Sequence, residues 1–371
     1  MVRHRQPLKV SYLTNLEKPS SGLLGLQKND LSNYPMHDLS QGITVVTGGA
    51  GLIGSATIWG LNNRNLNNIW AVDDCEAGSP KETNLQSLEI KDRTGIADFR
   101  NLFRKDSPKL NEVRTVIHLG ACSSTTESDE EYLNDNNLSY TRELCQWAIK
   151  NGVRFVYASS ASTYGDGSMG MDDEDEDIEK YQPLNLYGWS KQNFDLYAKQ
   201  SGWLESIVGL KYFNVYGPNE EHKGNMRSVV SKAFEQINET GEMTLFKSHH
   251  PNYEDGKQMR DFLYVKDAVC MTIWLAENDQ ANGLFNLGNG LARTWLDLAH
   301  SIFGAMNIAP NIRFIDMPEN LRSKYQYFTE AKVDKLEKNG FLTACFSMED
   351  AVNDYIVQYL IPNRRLGQFA A

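Results

Sequence analysis

Tyr187 and Lys191 lie four residues apart in a stretch with helical periodicity, which places both side chains on one face of a helix. A lysine ammonium beside a tyrosine favours the phenolate, and a phenolate can take a proton from an alcohol. Pairs with this spacing are also common on exposed helix faces, so the pair alone leaves the catalytic and the surface interpretation open. Ser159 and Ser160, at the end of a predicted strand, are further hydroxyl groups that such a site could use.

The glycine-rich turn at residues 48–54, Gly-Gly-Ala-Gly-Leu-Ile-Gly, is a second candidate site. The β-branched run at 43–46 precedes it and helical spacing follows it, so the pattern predicts a strand, a tight turn and a helix. Glycines let the backbone approach a pyrophosphate, and a helix N-terminus offers free N–H groups to it. A plain turn is the alternative. However, the next apolar run ends at Asp73 and Asp74, where a ribose-binding carboxylate is expected, and this favours a dinucleotide site.

Composition excludes several classes of protein. The chain has 371 residues and 41% hydrophobic residues, enough for one large α/β unit with an appended lobe. Its net charge of -11 argues against a nucleic-acid or anionic-membrane partner. The five cysteines form no Cys-x-x-Cys pair, which indicates reduced thiols in a cytoplasmic protein, with no zinc or other metal site. Because no apolar run approaches ~20 residues, we expect no membrane span.

Alternating apolar patterns predict the architecture. Between residue 43 and about residue 180, strand patterns alternate with helical ones, which predicts a Rossmann-type, doubly wound parallel sheet with helices on both faces: an α/β fold. Strands are expected at residues 44–47, 69–73, 115–119, 155–159 and 207–212, and a helix is expected at residues 138–150. The loop after each strand would lie at the carboxyl edge of the sheet, where open α/β folds bind ligands.

The remaining segments are less regular. Helices are expected at 226–238, 267–277 and 295–303, a strand at 261–265 and a final amphipathic helix at 347–360. We predict a dinucleotide-binding domain at residues 42–217 and, interleaved with it, a smaller and mainly substrate-binding lobe at 218–371. Residues 1–41 are polar and aperiodic, which predicts a poorly structured N-terminal extension. The acidic run 172–179 lacks the spacing of metal ligands and is interpreted as a solvated loop.

Together, the glycine turn, Ser160, Tyr187 and Lys191 resemble the extended short-chain dehydrogenase/reductase superfamily, whose hallmark is Tyr-x-x-x-Lys with an upstream Ser or Thr. Within its NAD-dependent epimerase/dehydratase branch, other segments resemble the ADP-glyceromanno-heptose 6-epimerase family. They are Gly-Ala-Cys-Ser-Ser-Thr-Thr-Glu at 120–127, Asp-Asn-Asn at 135–137, Tyr-Phe-Asn-Val-Tyr-Gly-Pro at 212–218, His-Lys-Gly at 222–224, Arg-Asp-Phe at 260–262 and Tyr-Gln-x-Phe-Thr at 325–329. The resemblance extends from about residue 43 to residue 359.

This resemblance implies an isomerase that interconverts ADP-D-glycero- and ADP-L-glycero-β-D-manno-heptose in the synthesis of lipopolysaccharide core precursors. Oxidation to a transient 6-ketone makes the carbon planar, so that hydride can return to the other face. The resemblance assigns Tyr187 and Lys223 as acid/base residues, with Ser160 on the reacting oxygen. Lys191 would lower the pKa of Tyr187 and hold the nicotinamide ribose. From the residues alone, Lys223 would instead be a cation that binds a diphosphate.

The resemblance also implies a set of contact residues. Those expected to bind the cofactor are Gly48, Gly51, Leu52, Ile53, Gly54, Asp73, Asp74, Leu119, Gly120, Ala121, Cys122, Ser123, Asn136, Lys191 and Val215. Those expected to bind the nucleotide sugar are Ser160, Asn214, Lys223, Asn225, Lys232, Phe246, Arg260 and Tyr325. Arg260 is suited to a bidentate clamp on a diphosphate.

The cofactor and the substrate each leave alternatives. The family implies one NADP or NAD per subunit of a homo-oligomer. Its NADP-preferring members carry lysines after the second strand, whereas this chain has Asp73 and Asp74 there, with Lys81 the nearest cation, which favours NAD. Another nucleotide-sugar 4-epimerase or a dehydratase is the alternative activity, although Ser162 and Thr163 occupy the positions of a dehydratase's Asp-Glu pair. A non-catalytic nucleotide-binding regulator is the third hypothesis.

Overall fold

The computed structural model describes residues 36–322, 325–342 and 345–368. The strands, in chain order, are β1 (Ile43–Thr47), β2 (Ile69–Val72), β3 (Asp92–Thr94), β4 (Val113–His118), β5 (Arg154–Ser160), β6 (Val208–Tyr212), β7 (Asn214–Tyr216), β8 (Met243–Phe246), β9 (Met259–Tyr264), β10 (Gly283–Leu287), β11 (Ala292–Thr294) and β12 (Ile312–Ile315). The α-helices are α1 (Leu52–Asn62), α2 (Pro80–Thr83), α3 (Ile96–Arg104), α4 (Glu130–Leu133), α5 (Tyr140–Lys150), α6 (Leu186–Gln200), α7 (Val229–Thr240), α8 (Val265–Glu277), α9 (Trp295–Ala305), α10 (Glu319–Arg322), α11 (Asp334–Lys338) and α12 (Met348–Asn353). Wider π-helical turns at Asn134–Ser139 and Asp354–Leu360 lead into α5 and extend α12.

Seven parallel strands form the central sheet, in the order β10-β6-β5-β4-β1-β2-β3. Strands β1, β2, β6 and β10 are buried along their whole length, which explains the continuous apolar runs in the sequence. Helices α3, α5 and α6 share one hydrophobic core with the sheet. Helices α1 and α8 pack against each other, and Gly60 permits their close approach, since a Cβ there would lie 2.4 Å from the Val269 side chain. The predicted doubly wound α/β fold is confirmed.

Each predicted strand matches an observed strand, with both ends correct to within two residues. The predicted strand 261–265 is β9, and Val265 begins α8 instead of ending the strand. The prediction missed β3, whose Asp-Arg-Thr sequence is polar and largely exposed, and β10, which pairs with β6 from far along the chain. In the C-terminal part, β7, β9 and β11 form a second sheet, and β8 pairs with β12. The predicted boundary at residue 217 stays a prediction.

Residues 1–35 of the predicted extension lie outside the described residues. Immediately after them, Met36 makes an antiparallel bridge with Asn278, and the Leu39 side chain is buried. The His37 Nε2 atom lies 2.7 Å from the Thr115 hydroxyl of β4. The last residues before β1 are therefore packed against the folded chain. Over the described ranges, no helix has both the length and the apolar composition that crossing a bilayer requires.

Candidate active site

The glycine turn between β1 and α1 packs so closely against neighbouring backbone that it leaves no space for side chains at Gly48 and Gly54. Gly48 has φ +65°, and a Cβ on it would lie 2.7 Å from the Gly120 backbone nitrogen. A Cβ on Gly54, the third residue of α1, would lie 2.0 Å from the Gly48 carbonyl oxygen, so the first turn of α1 can approach the glycine turn this closely only with glycine at this position. The N-cap residue Gly51 contributes no side-chain hydrogen bond, so the first N–H groups of α1 keep their capacity to bind an anion. This cradle fits the pyrophosphate of a dinucleotide.

A cleft of about 710 Å³ opens from this turn along the carboxyl edge of the sheet. It brings together eighteen predicted site residues that are dispersed in the sequence. They are Gly48, Gly51, Leu52, Ile53, Gly54, Asp73, Leu119, Gly120, Ala121, Cys122, Ser123, Asn136, Ser160, Tyr187, Lys191, Asn214, Val215 and Lys223. The loops after β1, β2 and β4 and the end of β5 therefore converge, as expected for the ligand edge of an open α/β sheet.

Asp73 and Asp74, which looked alike in the sequence, have different surroundings. The Asp73 carboxylate accepts a hydrogen bond from the Ala50 N–H (3.0 Å) and pairs with Lys81 (2.7 Å). Its side chain is 4% exposed, whereas that of Lys81 is 37% exposed. Asp74 does not line the cleft, and its carboxylate accepts a hydrogen bond from the Ile96 N–H (2.9 Å) at the start of α3. Only Asp73 is placed to meet a ribose.

The end of β5 and the first turns of α6 carry the predicted proton-transfer group, Ser160, Tyr187 and Lys191. Asn185 caps α6 by accepting a hydrogen bond from the Gly188 N–H (2.8 Å), and Tyr187 and Lys191 both face the cleft from the turns that follow. Burial raises the pKa of Tyr187, and a hydrogen bond with Ser160 opposes the rise. Burial disfavours the phenolate more than this one hydrogen bond favours it. The lowered pKa predicted from the sequence requires an oxidised nicotinamide as well as Lys191 near the tyrosine, and it stays a prediction.

A hydrogen bond holds the Lys191 ammonium against the end of β5. Its ammonium donates to the Ala158 carbonyl oxygen at 2.8 Å, and its side chain is 5% exposed. Burial lowers the pKa of Lys191 to about 8, while the negative charge of Asp195 acts in the opposite direction. The Lys191 ammonium therefore loses its proton at a pH only slightly above neutral.

A buried ion pair beneath these residues was not found in the sequence. Asp195 and Lys211 are both fully buried, with 2.8 Å between Oδ2 and Nζ. The same carboxylate accepts hydrogen bonds from Ser159 (2.7 Å) and Tyr157 (2.8 Å), and Lys211 donates to Thr163 (2.8 Å). The pair thus connects α6, β5 and β6. One signal was available: a lysine inside the apolar run of β6 needs a buried partner.

Lys223 enters the cleft from a different part of the chain, within the short 3₁₀ turns at Glu221–Met226. Burial lowers the pKa of Lys223, and Glu220 opposes the shift. Beside it, burial lowers the pKa of His222 to about 4, with the charge of Lys223 as the next contribution. A lowered pKa brings a lysine closer to the range in which it can exchange a proton with substrate, which suits an acid/base residue.

Six predicted site residues do not line the cleft: Asp74, Asn225, Lys232, Phe246, Arg260 and Tyr325. Asn225 and Lys232 are exposed, and Phe246 is partly buried at the end of β8. Arg260 is buried beneath the lining residue Trp295. Its guanidinium lies 5.8 Å from the Trp295 ring and 5.0 Å from the Tyr325 ring, and it donates to two backbone carbonyls.

Lining residues that were not predicted include Ile96, Tyr132, Tyr140, Trp295 and Leu298. Tyr140 starts α5, and Trp295 starts α9. Helices were predicted over Tyr140, Trp295 and Leu298, but the sequence did not indicate that the ends of these helices would meet the cleft. Only the arrangement of the helices in space places them there.

The comparisons with known proteins agree with this geometry. The profile of a family described as "NAD dependent epimerase/dehydratase family" matches residues 44–288. The chain belongs to this family. Two relatives named ADP-L-glycero-D-manno-heptose-6-epimerase match 85% of this chain and 97% of their own length. The protein from Nitratidesulfovibrio vulgaris (strain DP4) is 50% identical over 317 residues, and the one from Fusobacterium nucleatum is 41% identical over 326 residues.

Solved structures of two different epimerases share the fold. The ADP-L-glycero-D-manno-heptose-6-epimerase of Helicobacter pylori has a TM-score of 0.71 and 24% identity, and it covers 86% of this chain and 96% of its own. The UDP-N-acetylglucosamine 4-epimerase of Methanobrevibacter ruminantium has a TM-score of 0.72 and 23% identity, over 87% and 99%. The predictions of an epimerase-class enzyme and of a nicotinamide cofactor are thus confirmed at the level of the family. The fold alone does not distinguish a 6-epimerase from a 4-epimerase.

Proposed function

We propose that this protein is an ADP-glyceromanno-heptose 6-epimerase that interconverts the D-glycero and L-glycero forms of the nucleotide sugar. The observation that carries the proposal is the cleft in which Tyr187, Lys191 and Ser160 share a lining with the dinucleotide turn and with Lys223. The choice of substrate is supported by the 50% identical relative, which this chain covers over 97% of its length. Synthesis of the lipopolysaccharide core precursor would be its role.

The cleft residues divide the work of such a reaction. A bound nicotinamide would accept a hydride from the alcohol carbon and return it. The N–H groups at the start of α1 bind the pyrophosphate, and Asp73 accepts a hydrogen bond from a ribose hydroxyl. Tyr187 exchanges a proton with the sugar hydroxyl, assisted by Ser160. Lys223 exchanges a proton with the sugar hydroxyl in the opposite configuration, because inversion needs an acid/base group on each side of the planar carbon.

We further propose that the cofactor is NAD. Asp73 is almost fully buried and accepts a hydrogen bond from the glycine turn, so a 2′-phosphate would have to lie against a fixed carboxylate. Lys81, the nearest cation, is already paired with that carboxylate. A free 2′-hydroxyl can donate to Asp73, whereas a phosphate would be repelled. Mass spectrometry of the nucleotide that co-purifies with the protein should find NAD. NADP in its place would refute this part of the proposal.

A product assay tests the reaction. Incubation of the protein with ADP-D-glycero-D-manno-heptose should yield the L-glycero epimer, detected by NMR at the C6″ position. UDP-N-acetylglucosamine serves as the comparison substrate, because a 4-epimerase of similar fold exists. Turnover of that sugar without turnover of the heptose would favour the alternative activity. Bound nucleotide without turnover of either sugar would favour the non-catalytic regulator.

The cytoplasmic location and the homo-oligomeric state remain predictions. Both come from the sequence and from the family resemblance. Light scattering coupled to size-exclusion chromatography measures the mass of the assembly directly. A mass equal to that of one 42.0 kDa chain would show that the predicted oligomer is wrong.

A further inference from the structure

The segment that leads to Lys223 is held by residues near the C-terminus. The Leu366 N–H donates to the Asn219 side-chain oxygen (3.0 Å), and the Arg365 guanidinium lies 3.0 Å from the Glu221 carboxylate. The Leu366 side chain is fully buried. Two of the four residues immediately before Lys223 are thus tied to residues about 140 positions away in sequence.

Asn219 links this contact to the dinucleotide site. It is fully buried and adopts φ +78°, a left-handed conformation that asparagine tolerates better than most residues. Its side-chain nitrogen donates to Ser55 (2.9 Å) in the first turns of α1, and its carbonyl oxygen accepts from Asn84 (3.0 Å) after α2. One residue therefore connects α1, the end of α2 and Leu366.

Residues 365–368 form a turn that is itself fixed; we call it the C-terminal turn. The Gln368 side chain accepts from the Arg365 N–H (2.8 Å), and the Gln368 N–H donates to the Arg365 carbonyl oxygen (3.1 Å). Gly367 has φ +85°, and a Cβ there would lie 2.9 Å from the Ser87 carbonyl oxygen. The turn is therefore packed against the segment after α2 on one side and against residues 219–221 on the other.

The charges of the Arg365–Glu221 pair receive little stabilisation from other groups. Among the described residues, Glu221 Oε2 and Arg365 Nε are both buried without a hydrogen-bond partner. Burial raises the pKa of Glu221, and the strongest opposing influence is Arg365. Without Arg365, the Glu221 carboxylate would lose its main compensating charge, and the backbone would have to move to hydrate it. Glu221 is two residues from Lys223.

We propose that Arg365 is a positioning residue which, with the C-terminal turn, holds Lys223 at its place in the cleft. This inference rests on the proposed function, in which Lys223 is the acid/base group opposite Tyr187. A displacement of about 1 Å in a reacting group can slow a reaction by up to about 100-fold. Loss of Arg365 therefore impairs the half of the reaction that uses Lys223 and leaves the half that uses Tyr187 intact.

Single-turnover kinetics test this selectivity. Each heptose epimer is mixed separately with the holoenzyme, and reduction of the bound nicotinamide is followed by near-ultraviolet absorbance. Lys223→Met identifies the epimer whose oxidation requires Lys223. Arg365→Met should slow the same epimer by about 10- to 100-fold and leave the other unchanged. Arg365→Lys should restore most of the rate. Arg364→Met removes an equal charge from the neighbouring residue and should have no effect.

Two kinetic outcomes would overturn the proposal. The first is that Arg365→Met slows the oxidation of both epimers equally, which indicates general weakening of the fold. The second is that Arg364→Met slows the Lys223-dependent epimer as much as Arg365→Met does. Hydrogen exchange supplies a readout independent of catalysis: the Lys223 N–H, bonded to the Glu220 carbonyl oxygen (2.9 Å), should exchange faster in Arg365→Met only. Unchanged exchange refutes the positioning. Faster exchange combined with a Lys223→Met variant that slows neither epimer supports the positioning and refutes the catalytic role of Lys223.

Discussion

The buried pair of Lys211 and Asp195 joins α6, which carries Tyr187 and Lys191, to the central sheet. Both members of the pair are fully buried, 2.8 Å apart. Replacing Lys211 with methionine keeps much of the side-chain volume but leaves the carboxylate without its cation. Removing one partner of a buried pair costs about 3–5 kcal/mol.

The hydrogen bonds that remain in the variant indicate where in this range the loss of unfolding free energy should lie. In Lys211→Met, the Asp195 carboxylate keeps its donors Ser159 and Tyr157, so we expect the lower end. A loss of about 3 kcal/mol corresponds to a folding equilibrium constant that is roughly 100-fold smaller. The double variant Lys211→Met/Asp195→Asn removes both charges and still provides an oxygen acceptor. It should therefore be more stable than Lys211→Met alone.

Urea unfolding followed by tryptophan fluorescence measures these free energies, at fixed protein and cofactor concentration. Lys150→Met is the control, because it breaks an ion pair with Asp106 in which the two side chains are 65% and 60% exposed. Exposed pairs of this kind contribute about 0–1 kcal/mol. The reasoning is wrong if Lys211→Met costs no more than Lys150→Met, or if the double variant is less stable than the single one.

Three further predictions concern the cleft. Tyr187→Phe should reduce epimerisation, measured by NMR, by at least about 100-fold. The dinucleotide should stay bound, as measured by mass spectrometry of the holoenzyme. Near-normal turnover would contradict the acid/base assignment. Gly54→Ala should abolish retention of the dinucleotide, because its Cβ would lie 2.0 Å from the Gly48 carbonyl oxygen; full nucleotide occupancy after purification would count against the cradle. Since the pKa of Lys191 is lowered to about 8, its charge is lost as the pH rises through that value, and turnover should fall. Lys191→Arg keeps the charge, so its residual activity should not show that alkaline decline; an unchanged pH–rate profile would refute the role of the charge.

Local patterns were sufficient for the dinucleotide half of the cleft. The glycine turn, the strand before it and the acidic residue after β2 are close in sequence, so their spacing restricts their geometry directly. Tyr187 and Lys191 are one helical turn apart and meet for the same reason. The family resemblance added Lys223, which no local pattern relates to Tyr187.

Three features depended on contacts between distant segments. Asp73 and Asp74 are adjacent carboxylates in the sequence, yet only the packing of α2 and α3 decides that one meets the cleft and the other binds the Ile96 N–H. The lysine in β6 was visible as an anomaly, but its partner Asp195 lies on a helix that precedes the strand. The contact of Arg365 with Glu221 had no signal in the sequence, because Glu221 lies in short 3₁₀ turns and Arg365 in a turn, and neither segment shows an apolar periodicity.

The sequence by itself thus determined the fold class and the positions of the glycine turn, Asp73, Tyr187 and Lys191, because strand alternation, glycine spacing and helical periodicity are local patterns that extend over at most about 18 residues. The tertiary structure alone decided which charges are paired, which are buried and which segment holds the loop of Lys223. These properties depend on the dielectric environment and on contacts between residues far apart in the chain, such as Asn219 and Leu366, which are 147 positions apart. A linear pattern does not contain that information.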